Sequence, residues 1–206
     1  MASESVTWAL TRAYDDGRTR CGWPGNDETY IHYHDTEWGV PLTGDDALFE
    51  RVALEGFQAG LSWITILKRR EGFRAAFADF QIDAVADFTP ADTERLMLDP
   101  GIIRNRAKIE ATISNARLIR ELQSAGQSLT GLIWGYAPAD ELRMRPELGF
   151  EWIATSPESD AMSKHLRKLG FKFVGSTTMY AMMQAIGMLN DHAPGCFRRP
   201  ELATRK

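Results

Sequence analysis

Four residues able to bind a metal stand in two pairs near opposite ends of the chain: Cys21 with His34 in "CGWPGNDETYIHYH", and His192 with Cys196 in "HAPGC". Structural zinc takes four tetrahedral Cys or His ligands, commonly as two close pairs from separate segments. The first pair is wider than a common knuckle, so spacing alone leaves a chance pairing open. One ion joining the pairs would tie down both ends of the ordered body, where fraying is the default, and would close a very long loop in the unfolded chain. With four protein ligands there is no open position, which would make such an ion structural. These are the only two cysteines, and in a reducing compartment a metal, a catalytic thiol and plain burial compete to explain them. The other histidines, His32 and His165, are expected at the surface.

A second constellation combines aromatic rings with one carboxylate. Trp23, Tyr30, Tyr33 and Trp38 fall in one short segment, and "LEGFQAGLSW" adds Glu55 and Trp63. Aromatic faces attract a cation and a carboxylate complements its charge. The competing explanation is an aromatic core with Glu55 on a solvated helix face. For Trp38 the two readings weigh about equally.

A third stretch could hold phosphate. In "LDPGIIRNRAKI" an Asp-Pro-Gly turn at Gly101 precedes a helix start, whose amides and dipole favour an anion, and Arg104, Arg106 and Lys108 follow. An ordinary interhelical turn would look the same. Nearby, "FQAGLSW" offers Gln58 and Leu61 around Gly60, where a missing side chain would let the backbone approach a ligand. Leu61 is either a wedge or a core residue.

These groups need elements to position them. The 206 residues carry a net charge of −4, 44% hydrophobic and 10% aromatic residues, enough for a packed core in one domain or two small lobes. A generally basic surface is excluded, although "KRREGFR", "RNRAK" and "KHLRKLGFK" are local basic runs. No apolar run reaches the roughly 20 residues of a membrane helix, and the first residues lack the pattern of a secretory signal. A cytoplasmic protein without membrane partners is expected. Helical spacing runs through "TGDDALFERVALEGFQAG", "LSWITILKRREGFRAAF", Asn105 to Leu122, and the stripe Met179, Met182, Ile186 and Leu189. The best strand candidate is "FKFVG", residues 171–175, and "GYAPADELRMRPELGFEW" reads as a long connection. The class is mostly α. We expect an N-terminal extension over 1–19, a helical body over 20–197 and a tail over 198–206.

Together, "RCGWPGNDETYIHYHDTEWGVP", "LEGFQAGLSWITILKRRE", "DPGIIRNRAKI", "GFKFVG" and "NDHAPGC" are collinear, and from Arg20 to Cys196 the chain resembles the bacterial 3-methyladenine DNA glycosylase I family. The resemblance implies a fold of the helix-hairpin-helix glycosylase superfamily, one structural zinc on Cys21, His34, His192 and Cys196, and removal of 3-methyladenine from alkylated double-stranded DNA. It favours a base pocket made by Trp23, Tyr30, Tyr33, Trp38, Trp63 and Glu55, with DNA contacts from Gln58, Gly60, Leu61, Gly101, Arg104 and Lys108. A monofunctional, monomeric enzyme releasing the free base at the bacterial nucleoid is implied. Between Gly101 and Asp140 there is no Asp, so the catalytic aspartate common in the wider superfamily is missing and Glu55 is the remaining carboxylate. Phe57 departs from the polar residue expected of relatives. Two rivals remain: a non-catalytic zinc module binding alkylated or unpaired nucleic acid, and a zinc hydrolase, which four protein ligands disfavour.

Overall fold

The computed structural model describes residues 10–144, 148 and 150–203, which form two units interleaved along the sequence. The first unit draws its described residues from 10–41, 139–152 and 184–203, and the second from 42–138 and 153–183. Among the described residues no helix is long and apolar enough to cross a membrane.

The first unit opens with an antiparallel hairpin, β1 (Thr11–Ala13) and β2 (Thr19–Cys21), within a stretch whose sequence shows no sustained period. Helix α1 (Glu28–Thr36) follows, with the Asp27 side chain accepting from the Tyr30 amide at its start. The chain returns at its far end. The Phe197 amide donates to Thr19 O on β2 at 2.9 Å, and short helix α11 spans Arg198–Glu201. Two backbones cross tightly here: Gly187 has φ +74°, and a Cβ there would lie 2.6 Å from Pro41 N and 2.7 Å from Gly39 O. Only glycine allows that approach. Buried Arg143 ties the 139–152 segment to this region, donating to Gly187 O and Leu202 O.

In the second unit, α2 (Asp45–Gln58) is the central buried helix, with Leu48, Phe49, Val52, Ala53 and Phe57 all inside. Its first residue serves another helix too: Asp45 accepts from the Leu129 and Thr130 amides and the Thr130 hydroxyl at the start of α8 (Leu129–Trp134). The expected long helix over 61–77 is two pieces, α3 (Trp63–Leu67) and α4 (Arg70–Ala76), broken at Lys68 and Arg69. A left-handed turn follows, with φ of 51°, 52° and 54° at Ala78, Asp79 and Phe80. It stacks the buried Phe80 ring on Phe77 at 5.5 Å, a contact that offsets an unfavourable backbone. Then come α5 (Ile82–Ala86), α6 (Pro90–Leu98) and the longest helix, α7 (Arg106–Ser124). Two more, α9 (Pro157–Lys168) and α10 (Ser176–Ala185), complete the set.

The α class is as expected, whereas the strand over 171–175 is not formed. Asn115 on α7 takes the place of a neighbouring strand: its side chain donates to Lys172 O and accepts from the Lys172 amide. Phe173 then turns to φ 57°, which ends any alternating run.

Candidate functional site

The first unit brings the four expected ligands together. Cys21 closes β2, His34 lies in the last turn of α1, and His192 and Cys196 sit in the loop after α10. All four are buried, and their donor atoms lie within 4.8 Å of one another. Cys196 Sγ is 3.5 Å from both His34 Nε2 and His192 Nδ1, and Cys21 Sγ is 3.7 Å from His192 Nδ1. A tetrahedral ion with bonds of about 2.3 Å to sulfur and about 2.0 Å to nitrogen sets sulfur and nitrogen about 3.5 Å apart. The group could therefore hold a metal ion.

The surroundings orient these donors. His34 Nδ1 lies 2.8 Å from Asp35 Oδ1, which leaves Nε2 for the cluster. His192 Nε2 donates to Trp38 O at 3.2 Å, which leaves Nδ1. Such outer contacts fix tautomer and ring direction. Asp35 is in turn gripped by the nearly buried Arg20, which also pairs with Asp16. Burial holds His192 toward its neutral, ligand-competent form. Burial pushes the Cys21 thiol up, while hydrogen bonds with Cys21, His192 and His34 hold Cys196 down.

An aromatic cluster rests directly on this centre. The Trp23 ring is 4.8 Å from Tyr30, 6.4 Å from Tyr33, 5.2 Å from Trp38 and 5.3 Å from His34. Trp38 also lies edge-on to His192 at 4.6 Å. Trp23 and Tyr30 are half-buried, so part of each is open, whereas Tyr33 and Trp38 are buried. Trp152, 6.5 Å from Trp38 and partly exposed, joins the cluster; it escaped the sequence reading because it falls in an irregular stretch without period.

The second unit holds Glu55 and Trp63. Glu55 lies on α2, only 3% exposed, and its Oε2 has no hydrogen-bond partner among the described residues. Burial raises its carboxyl to about 7, with the Arg51 charge one turn earlier opposing. The Arg51 guanidinium stands over the buried Trp63 ring at 5.1 Å. Leaving a buried carboxylate oxygen unpaired is costly, which makes Glu55 a candidate for chemistry or for holding a ligand.

Gln58 ends α2, and the turn after it carries Gly60 and Leu61. Gly60 takes φ +83°, and Leu61 is 41% exposed, so it is not a core residue. Between α6 and α7, Asp99 Oδ1 accepts from the Gly101 amide at 2.7 Å. This turn lies against α4 at Gly72, where a Cβ would come within 2.5 Å of Gly101 O. Arg104 is exposed beside it, and Asn105 caps α7 by accepting from the Lys108 amide. Arg106 is matched by Glu94 at 2.8 and 2.9 Å. Lys108, expected beside Arg104 on phosphate, has another partner. It is buried, and its ammonium donates to Phe57 O at 2.9 Å and Ala59 O at 2.6 Å.

Residues 23–199 match the model of the methyladenine glycosylase family. The chain belongs to that family. It is similar to DNA-3-methyladenine glycosylase 1 of Escherichia coli (strain K12), 48% identical over 177 residues, covering 86% of this chain and 95% of that protein. A crystal structure of 3-methyladenine DNA glycosylase I is similar at a TM-score of 0.82 and 46% identity, over 86% of this chain and 98% of that one. A variant of 3-methyladenine DNA glycosylase I in complex with 3-methyladenine is similar at a TM-score of 0.79 and 35% identity, over 88% and 97%. The matched residues span both units and include His34, His192, Cys196, the aromatic group and Glu55, with Cys21 two residues before them.

Proposed function

We propose that this protein is a DNA repair glycosylase that hydrolyses the bond between deoxyribose and 3-methyladenine in alkylated double-stranded DNA. The observation that carries the reading is the buried, incompletely paired Glu55 in a member of the methyladenine glycosylase family.

Methylation at N3 makes the attached base cationic. Glu55, ionised, would complement that charge and accept a hydrogen bond from the base edge. Trp23 and Tyr30, the open members of the aromatic cluster, would offer stacking faces, with Tyr33, Trp38 and Trp63 as supporting or stacking rings. When the sugar–base bond breaks, its electron pair neutralises the cationic ring, so the base leaves neutral without protonation. Water supplies hydroxide to the sugar carbon and its proton goes to solvent. No covalent enzyme intermediate is needed, which makes the reaction monofunctional.

The base must leave the stack to be read. Leu61, exposed on the Gly60 turn, would fill the gap, with Gln58 beside it. The α6–α7 pair is read as the helix-hairpin-helix. Its turn around Gly101 and the exposed Arg104 would face phosphate, although the Gly101 amide itself is held by Asp99. The Cys21, His34, His192 and Cys196 group would hold one zinc, for which two thiols and two imidazoles are a fitting donor set, as a structural cross-link of the two chain ends. A monomer acting at the nucleoid fits this reading.

The test is direct: purified protein is incubated with methylated DNA and the released bases are separated by chromatography. Free 3-methyladenine is expected; binding without release would turn the reading to a non-catalytic nucleic-acid module.

A further inference from the structure

Lys108 is a buried cation whose ammonium is already engaged by backbone carbonyls. Its ammonium lies on two carbonyls of the last turn of α2, Phe57 O and Ala59 O, and Ala59 is the residue at which that helix ends. The next residues are Gly60, with φ +83°, and exposed Leu61. A positive charge at a helix C-terminus satisfies carbonyls that the helix leaves open and is attracted by the dipole.

Lys108 is itself held in place. It sits in the first turn of α7, whose start is capped by Asn105. The Phe173 ring covers its ammonium at 5.9 Å. Phe173 adopts left-handed backbone, φ 57°, and packs against α2 so closely that a Cβ on Gly56 would meet its Cβ at 3.2 Å. The preceding residue is fixed by both bonds from the Asn115 side chain. A strained, partly exposed aromatic held by a dedicated amide is characteristic of a site where geometry matters. Burial also lowers the Lys108 ammonium from its usual range.

From this geometry we infer that Lys108 is a positioning residue: it clamps the end of α2 to the start of α7 and so sets the Gln58–Leu61 turn for insertion into the duplex. It acts through Leu61 and touches neither phosphate nor base. The inference rests on the glycosylase reading and on Leu61 as the wedge. It removes Lys108 from the group of DNA-contacting cations.

The experiment is a double-mutant cycle of Lys108→Met and Leu61→Gly, read as excision of 3-methyladenine from methylated duplex and from methylated single strand. Lys108→Met alone should slow duplex excision by about 10- to 100-fold, the scale of a misplaced contact, and slow single-strand excision far less. On the Leu61→Gly background it should add little further loss on duplex. The salt dependence of duplex binding should keep its slope, whereas a lost phosphate contact would reduce it by about one. Lys108→Arg, which keeps a cation for the carbonyls, should recover part of the loss. Losses that add fully to those of Leu61→Gly, equal losses on both substrates, or a reduced salt slope would overturn the inference. Should Lys108→Met fold poorly, Lys108→Gln, with a neutral amide in place of the ammonium, enters the same cycle with the same readings. Wild-type protein that releases no 3-methyladenine would fail the glycosylase reading instead, which the cycle's wild-type corner reveals.

Discussion

Asp35 Oδ1 lies 2.8 Å from His34 Nδ1, and the same carboxylate is gripped by the Arg20 guanidinium. One acidic side chain therefore connects the hairpin at β2 to a candidate metal ligand on α1. Arg20 and His34 together hold Asp35 below the usual carboxylate range against the opposing effect of its burial. Asp35→Asn keeps the size but weakens the acceptor that fixes the imidazole. Metal affinity should fall by about 10- to 100-fold, the usual cost of removing such an outer contact. Competition with a chelator, followed by elemental analysis, measures it; unchanged retention would show that the His34 tautomer is set elsewhere.

Leu61 gives a second expectation. With a side chain 41% exposed on a glycine turn, Leu61→Gly should cost little stability. It should slow excision from duplex much more than from single strands, because only the duplex has a gap to fill. Equal losses on the two substrates would count against a wedge.

At Arg104 the expectation is electrostatic. Arg104→Ala should weaken DNA binding nearly uniformly across sequences and flatten the salt dependence by about one. Binding titrations at several salt concentrations would show this. An unchanged slope would return Arg104 to the solvated helix start.

The helices were more legible than their breaks. The three- and four-residue steps in 43–60 and 105–122 correspond to α2 and α7: α7 buries one face, whereas α2 is buried on all sides from Arg51 to Phe57, which the steps alone did not reveal. The break at Lys68 and Arg69 was not legible, since residues on both sides keep helical spacing, and the close approach of Gly72 on α4 to Gly101 is a contact between positions far apart in sequence. The 171–175 stretch misled for a related reason: its partner is the Asn115 side chain, 57 residues from Lys172. Among candidate site residues, the four donors were legible as types and as two pairs, while the spacing left a chance pairing open; the fold brings them within 4.8 Å of one another. The place of Lys108 was not legible, because no local pattern distinguishes a lysine on a phosphate from one on a helix end.

Glu55 gives a pH expectation with a definite sign. Its carboxyl is raised from 4.5 to about 7 by burial. The folded protein therefore holds a proton that the unfolded chain has lost, and this contribution to stability is present below about 4.5 and disappears as pH rises through about 7. Glu55→Gln should become relatively more stable than wild type between pH 5 and 8, by roughly 3 kcal/mol on an order-of-magnitude basis. Chemical unfolding at both pH values checks it. Recognition of a cationic base runs the other way: it needs the carboxylate and should strengthen across the same window. A stability difference that does not change with pH would contradict a buried, titrating Glu55.

The central claim is that a single buried charge selects the methylated base. The most direct measurement is the rate at which Glu55→Gln releases 3-methyladenine from methylated duplex at pH 8, beside wild type. A hydrogen bond to a charged partner contributes about 1.5 to 3 kcal/mol, so release should slow by roughly 10- to 100-fold while DNA affinity is retained. Release at the wild-type rate would contradict the account of charge recognition, even with the glycosylase activity intact.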